Sequence, residues 1–285
     1  MTLLYYAPGG GLGHLSRAVK VMQYINGKGI IVTSPLPMTP ELPQGITHLA
    51  INAQCQDIGS LAGWLQKQLR HFNVTRLIVD SFPAGIFGEL GVITLPEQRI
   101  LVSRLLNWPV YQQGKGISAI PSFRQTWYCE WPAAEQEQAL AHLTGTRYWL
   151  PLLATPPEHE IDPHQALLVI HSNIDELPQL LPKQCSLPIT LVTPPLSQAQ
   201  HAQIEQHWPQ VQCMQQFPCD ALGWQYQAVR CGAGFNLMSE YQQHPGAKFI
   251  ALPRRFDLQQ LRLQRGIRGM LPPAAMPLLQ PKFFW

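Results

Sequence analysis

Residues 5 to 18 read Tyr5-Tyr-Ala-Pro-Gly-Gly-Gly-Leu-Gly-His-Leu-Ser-Arg-Ala18, an apolar run broken by proline and glycine and resumed as a helix-forming stretch. Strand, glycine-rich turn and helix in that order open a βαβ unit. The glycines Gly9, Gly10, Gly11 and Gly13 let the backbone turn sharply and approach a ligand. A helix beginning near Gly13 offers free N–H groups and the positive end of its dipole, so a polar or anionic group is expected there. A dinucleotide fingerprint fits poorly. His14 or Ser16 stands where a third glycine is needed, and the second strand ends Val32-Thr-Ser-Pro, without the acidic residue that reads a ribose.

Strand-length apolar runs continue to alternate with helix-length segments, and they do so twice. The first set predicts strands at 2–7, 29–34, 48–52, 76–80 and 99–103, with helices at 15–25, 58–71 and 131–143. Residues 151–164 carry Pro151, Pro156, Pro157 and Pro163, which neither a helix nor a central strand tolerates. Beyond them the pattern restarts, with strands at 166–171, 189–193, 211–217, 228–231 and 248–252 and helices at 197–207, 236–243 and 257–267. The expected architecture is α/β: two Rossmann-like, doubly wound parallel-sheet domains, 1–150 and 165–285, joined by a linker at 151–164 and facing a cleft.

Composition narrows the function classes. Of 285 residues 46% are hydrophobic, enough to build a core. No window reaches the 18 to 20 apolar residues that span a bilayer, and no basic n-region opens a signal peptide, so a cytoplasmic protein is expected. Peripheral contact with a membrane stays open. The six cysteines lack metal or disulfide spacing. A net charge of +3 without a basic block is too little for a nucleic-acid footprint.

The polar residues at the strand tips are the candidates for chemistry. His14 falls on the first helical turn, where the dipole disfavours the imidazolium, and reads either as a general base toward a hydroxyl or as a partner of the loop. Asp80 ends the fourth strand, at the ligand crest, where it either orients His14 or caps the turn to Pro83. Glu89 reads as a surface or loop-anchoring residue. In the second half, Ala228-Val-Arg-Cys-Gly-Ala-Gly-Phe-Asn-Leu-Met-Ser-Glu is again strand, turn and helix. Gly232 and Gly234 free its backbone, and Asn236 is suited to N-cap the helix. Glu240 could hold a diol, or could simply favour the helix dipole. Asp257, Gln259 and Gln260 open the next helix at the same crest, where they could read sugar hydroxyls. Arg254 and Arg255 could neutralise phosphate, or be solvated surface charges.

As an ordered set these segments resemble the GT-B glycosyltransferases, the family of the lipid-linked muropeptide GlcNAc transferase and related predicted bacterial glycosyltransferases. The match rests on Gly9-Gly-Gly-Leu-Gly-His-Leu-Ser-Arg-Ala, Val79-Asp-Ser-Phe-Pro-Ala-Gly-Ile-Phe-Gly-Glu-Leu, Ala233-Gly-Phe-Asn-Leu-Met-Ser-Glu, and Pro253-Arg followed by Asp257-Leu-Gln-Gln. The resemblance implies a nucleotide-sugar donor, commonly a UDP-sugar, on the C-terminal domain and an acceptor on the N-terminal one. By it, Gly232, Gly234 and Asn236 would contact the donor phosphates, Glu240 the ribose, and Gln259 and Gln260 the sugar. His14 and Asp80 match acceptor-side positions, next to Gly10, Gly11 and Gly13. It also implies no bound metal or cofactor, because helix N-termini and basic groups stabilise the leaving diphosphate.

Three departures bear on catalysis. Leu237 replaces the Thr of the donor motif, His171-Ser-Asn stands where relatives often carry a glycine-rich turn, and little chain follows Gly269 for the helix that usually crosses back. The apolar segment from Met276 to Trp285 is expected to pack on the body of the protein. Two other functions remain in view: a nucleotide-sugar-binding or partner subunit without turnover, and a sugar-nucleotide epimerase or hydrolase on the same fold.

Overall fold

The computed structural model describes residues 2–114, 119–158, 164–182, 185–219 and 221–281. Part of the expected linker, 159–163, and the last four residues of the apolar tail lie outside them. The N-terminal half runs β1 (Thr2–Ala7), α1 (Leu12–Tyr24), β2 (Gly29–Thr33), β3 (Ile46–Ala50), α2 (Ile58–His71), β4 (Val74–Asp80), β5 (Gln98–Ser103), α3 (Trp108–Gln112), β6 (Phe123–Tyr128), α4 (Ala134–Ala141) and β7 (Thr144–Trp149). The C-terminal half runs β8 (His164–Ile170), α5 (Leu177–Leu180), β9 (Ile189–Val192), α6 (Gln198–His207), β10 (Val211–Met214), β11 (Tyr226–Gly232), α7 (Phe235–Tyr241), β12 (Ala247–Ile250) and α8 (Gln259–Arg265).

All the strand pairs are parallel. They form a seven-stranded sheet, β3-β2-β1-β4-β5-β6-β7, and a five-stranded sheet, β10-β9-β8-β11-β12. The alternation of side chains explains why both faces are covered. Leu3, Tyr5 and Ala7 of β1 enter one buried cluster, while Leu4 and Tyr6 enter another on the opposite face. In β8, Leu167 and Val169 part from Leu168 and Ile170 in the same way. Helices on both faces are what a parallel sheet requires. Each sheet reverses its order once, between β1 and β4 in the first and between β8 and β11 in the second. Such switch points are where an open α/β sheet leaves a crevice beyond its strand tips.

The halves are packed together over a shared apolar cluster in which Leu15 and Ala18 of α1 meet Phe235 and Met238 of α7. After α8, a 3-10 turn over Gly266–Met270 leads into an extended strap. The Trp131 amide donates to the Gly269 carbonyl at 2.8 Å, and the Trp149 and Leu279 amides bond across to Pro277 and Trp149, each at 2.8 Å. The return crossing expected of a helix is thus made by extended chain that pairs with Trp149, the last residue of β7. Of the apolar tail, Leu279 is buried and Leu278 exposed.

Two strands and a short helix depart from the sequence reading. β6 and β7 extend the first sheet on either side of the helix expected at 131–143, over stretches for which no element was predicted, and that helix, α4, is confined to 134–141. Glu89 is fully buried, not superficial. Its carboxylate accepts from the Ile86 and Phe87 amides at 3.1 and 2.8 Å and from the Tyr6 hydroxyl at 2.6 Å. It anchors the loop that follows β4. Gly85, with φ of 87°, is needed beneath it, since a Cβ there would fall on the Glu89 carboxylate.

Candidate functional site

The two switch points face one cavity of about 450 Å³. From the first sheet it takes Gly9 to His14, Arg17, Phe82, Ile86 and Arg104. From the second come His171, Ser172, Gly232, Gly234 to Leu237 and Arg254 to Asp257, with Gln259.

His14 is held from behind. Its Nδ1 lies 2.5 Å from Asp80 Oδ2, and since a carboxylate only accepts, Nδ1 carries the hydrogen and Nε2 keeps a lone pair. The ring stacks on Phe82 with centroids 5.8 Å apart, and its Nε2 edge lies over Gly9, where a Cβ would coincide with it. Burial, only partly opposed by Asp80, holds the imidazole below its ordinary pKa. Asp80 is fully buried at the tip of β4. It also accepts from Arg17 Nε and Nη2 at 2.7 and 2.6 Å and from the Tyr5 hydroxyl at 3.0 Å. Despite the burial, Arg17 and His14 together keep it well below the usual carboxylate range. The next residue, Ser81, has φ of 65°, an uncommon conformation that turns its hydroxyl to Arg17 and Arg104 at 3.0 and 3.1 Å.

Arg17 had no role in the sequence reading, although its spacing held the signal. A residue three places after His14 on a helix shares its face, and here both end on one carboxylate. Gly9→Ala is expected to push the imidazole off its place over the loop, because a Cβ there would coincide with Nε2, and shifted NMR resonances of the His14 ring would report the displacement.

The second sheet brings fewer of the expected residues to the cavity. Gly232 and Gly234 line it. Asn236 is not the N-cap: Gly234 holds that position, and the Asn236 side chain reaches across the seam to the Gly13 carbonyl and to Arg17 Nη1. Glu240 is buried, pairs with Lys20 of α1 and does not line the cavity. The helix expected from Asp257 begins at Gln259. Gln259 accepts from the Leu252 amide at 2.9 Å and donates to Asp257 at 3.2 Å. Gln260 is exposed and outside the cavity wall. Arg254 lines the wall but grips Glu176.

Asp257 belongs to a network that crosses between the halves. Its Oδ1 accepts from Arg104 Nη1 and Arg262 Nη2, each at 2.7 Å. Arg262 in turn binds both oxygens of Glu130 at 2.7 Å and gives Nη1 to the Ala233 carbonyl at 2.9 Å. Burial would raise the Asp257 carboxyl, but Arg104 and Arg262 hold it well below the ordinary range.

The arrangement of the two sheets decides the architecture. The chain has the GT-B fold. Its solved GT-B neighbours include the spinosyn rhamnosyltransferase SpnG (TM-score 0.53, 13% identity, 89% of this chain and 81% of that one). A UDP-glucosyltransferase from Polygonum tinctorium capable of glucosylating indoxyl matches with TM-score 0.51 and 12% identity, over 96% of this chain and 85% of that one. No family model and no curated protein matches the sequence. Among the described residues no helix is long and apolar enough to cross a membrane, and no group of three or more His, Cys, Asp and Glu side chains could hold a metal ion.

Proposed function

We propose that this chain is a glycosyltransferase that moves a sugar from a nucleotide diphosphate sugar, of the UDP class, to a hydroxyl acceptor. The observation that carries the reading is the His14–Asp80 pair, whose Nε2, on the side away from the carboxylate, lies over the glycine loop at a cavity shared with the glycine loop of the other sheet. His14 Nε2 takes the proton of the acceptor hydroxyl as its oxygen bonds to the anomeric carbon. The bond from that carbon to the diphosphate breaks with its electron pair on the phosphate oxygen. Asp80 fixes the tautomer, and Arg17 fixes Asp80. The acceptor sits against Phe82, Ile86 and the His14 loop, and the donor against Gly232, Gly234 and the Arg254–Phe256 segment. No metal enters this scheme, because cavity-lining arginines meet the phosphate charge.

The reading departs from the sequence-based roles at several residues. With Glu240 on Lys20, Asp257 in the ion network, Gln259 bonded to Leu252 and Asp257, Gln260 outside the wall and Asn236 on Gly13, the ribose and sugar hydroxyls fall to other groups of the wall. These pairings and Leu237 at the wall favour the second reading, a nucleotide-sugar-binding subunit without turnover. A thermal-shift titration tests the donor reading. At UDP a hundredfold above its Kd, binding stabilises the fold by about 2.7 kcal/mol, a rise of several degrees in Tm. No rise across millimolar UDP and a panel of UDP- and TDP-sugars would refute it.

A further inference from the structure

His171 and Ser172 follow the tip of β8 at the switch point of the second sheet and line the same cavity as His14. Nothing in the transfer scheme above uses them. His171 Nε2 lies 2.7 Å from Glu176 Oε2, and Arg254 grips the same carboxylate through both Nη atoms, one of them at 2.6 Å. The molecule therefore carries the combination of histidine, carboxylate and arginine twice, once on each sheet. In the second copy the carboxylate again takes the hydrogen of one ring nitrogen, leaving the Nδ1 lone pair as the open site of a wall residue. The arginine differs. Arg17 is sealed, whereas the Arg254 side chain stays 35% exposed at the wall.

We propose that His171, Glu176 and Arg254 form the seat of the donor's diphosphate, and that His171 takes up one proton from solution when the anion arrives. This rests on the donor reading above. Empty, the cluster is close to neutral, because the Arg254 and Glu176 charges cancel beside an uncharged ring. A lone pair on Nδ1 would repel a phosphate oxygen, whereas a proton placed there becomes a charge-assisted donor to it. Burial and Arg254 hold the empty ring below its ordinary pKa against the pull of Glu176. Among the described residues Arg254 and Glu176 are the charged groups that face it, and a bound anion adds a pull in the same direction as Glu176. During transfer the phosphate oxygen gains the electron pair of the broken bond, and Nδ1–H donates to the oxygen where that charge appears. Ser172 supplies a hydroxyl beside it.

Calorimetric titration tests the proposal, with UDP and separately with inorganic pyrophosphate, at pH 7.5 in HEPES and in Tris, whose ionisation heats differ. The wild-type chain is expected to take up close to one proton per UDP. His171→Gln should lose that uptake and bind UDP about ten- to a hundredfold more weakly, the weight of one charge-assisted hydrogen bond. Glu176→Gln, which keeps the hydrogen-bonding shape, should also lower the uptake, and His14→Asn should leave it intact. UDP binding without buffer dependence, or uptake that survives in His171→Gln, overturns the proposal and leaves the donor reading standing. Binding of neither UDP nor pyrophosphate overturns both. Pyrophosphate bound with His171-dependent uptake while UDP fails to bind supports the anion seat and removes the nucleotide.

Discussion

Replacing His14 with alanine is expected to lower kcat for sugar transfer by about 10²- to 10⁴-fold, the usual weight of a positioned general base, while the Kd for UDP stays within a few-fold. Asp80 by itself already orients the ring, so in the proposed scheme the base is poised before an acceptor arrives. The pH dependence follows from the environment. Burial lowers the pKa of His14 from the ordinary 6.5, so the neutral form persists to lower pH and the acid limb of kcat/KM should lie below pH 6.5. The same shift has a sign for stability. Between the lowered folded pKa and the ordinary unfolded one, the unfolded chain binds the extra proton, so stability rises with pH across that window and is lost below it. Quantified turnover with retained UDP binding would establish the role. Full activity in His14→Ala would remove the base, and wild-type protein that binds UDP-sugars yet transfers nothing to a broad acceptor panel would favour the subunit reading.

Arg262→Met is expected to cost about 3 to 5 kcal/mol of stability, the scale for removing one partner of a buried pair. Arg262 and Glu130 are 1% and 3% exposed, and their bidentate contact spans 132 residues of sequence. Without the guanidinium, Glu130 keeps a charge that water cannot reach, and the Ala233 carbonyl loses its donor. Asp257 suffers less, because Arg104 still holds it. A denaturant series reads the loss. The double variant Arg262→Met/Glu130→Met should recover much of it, since replacing both ions by packed apolar groups removes the desolvation cost along with the attraction. A single variant as stable as the wild type would show that the network contributes nothing to joining the halves.

How much of this was legible in the sequence depends on the range of each interaction. β1, the glycine loop, α1 and β4 could be read because an apolar run, a turn and a helix face are local patterns, and Asp80 follows as the residue at a strand tip. β6 and β7 escaped because Phe123–Tyr128 and Thr144–Trp149 mix Arg, Gln, Thr and aromatic residues where the inner strands run Leu, Ile and Val. β7 lies at the end of its sheet, where fewer apolar side chains are needed. The fates of Glu240, Asn236 and Asp257 were not readable at all. Each is fixed by a partner 153 to 223 residues away, and spacing along one helix carries no record of what the other half lays across it. Arg17 and the Glu176 partner of His171 lay within short reach and could have been paired from the sequence. Arg254 could not.

The strap paired to the end of β7 bears on how the molecule meets its own copies. A strand at the border of a sheet offers unpaired backbone groups to any chain that can lie beside it. Here the Pro277–Leu279 stretch already occupies those positions on Trp149, with Tyr24 fastening the Leu279 carbonyl at 2.5 Å. The crossing that ties the halves together thus also covers the tip of β7 at Trp149, so a chain seeking that border of the wider sheet finds its last position already taken.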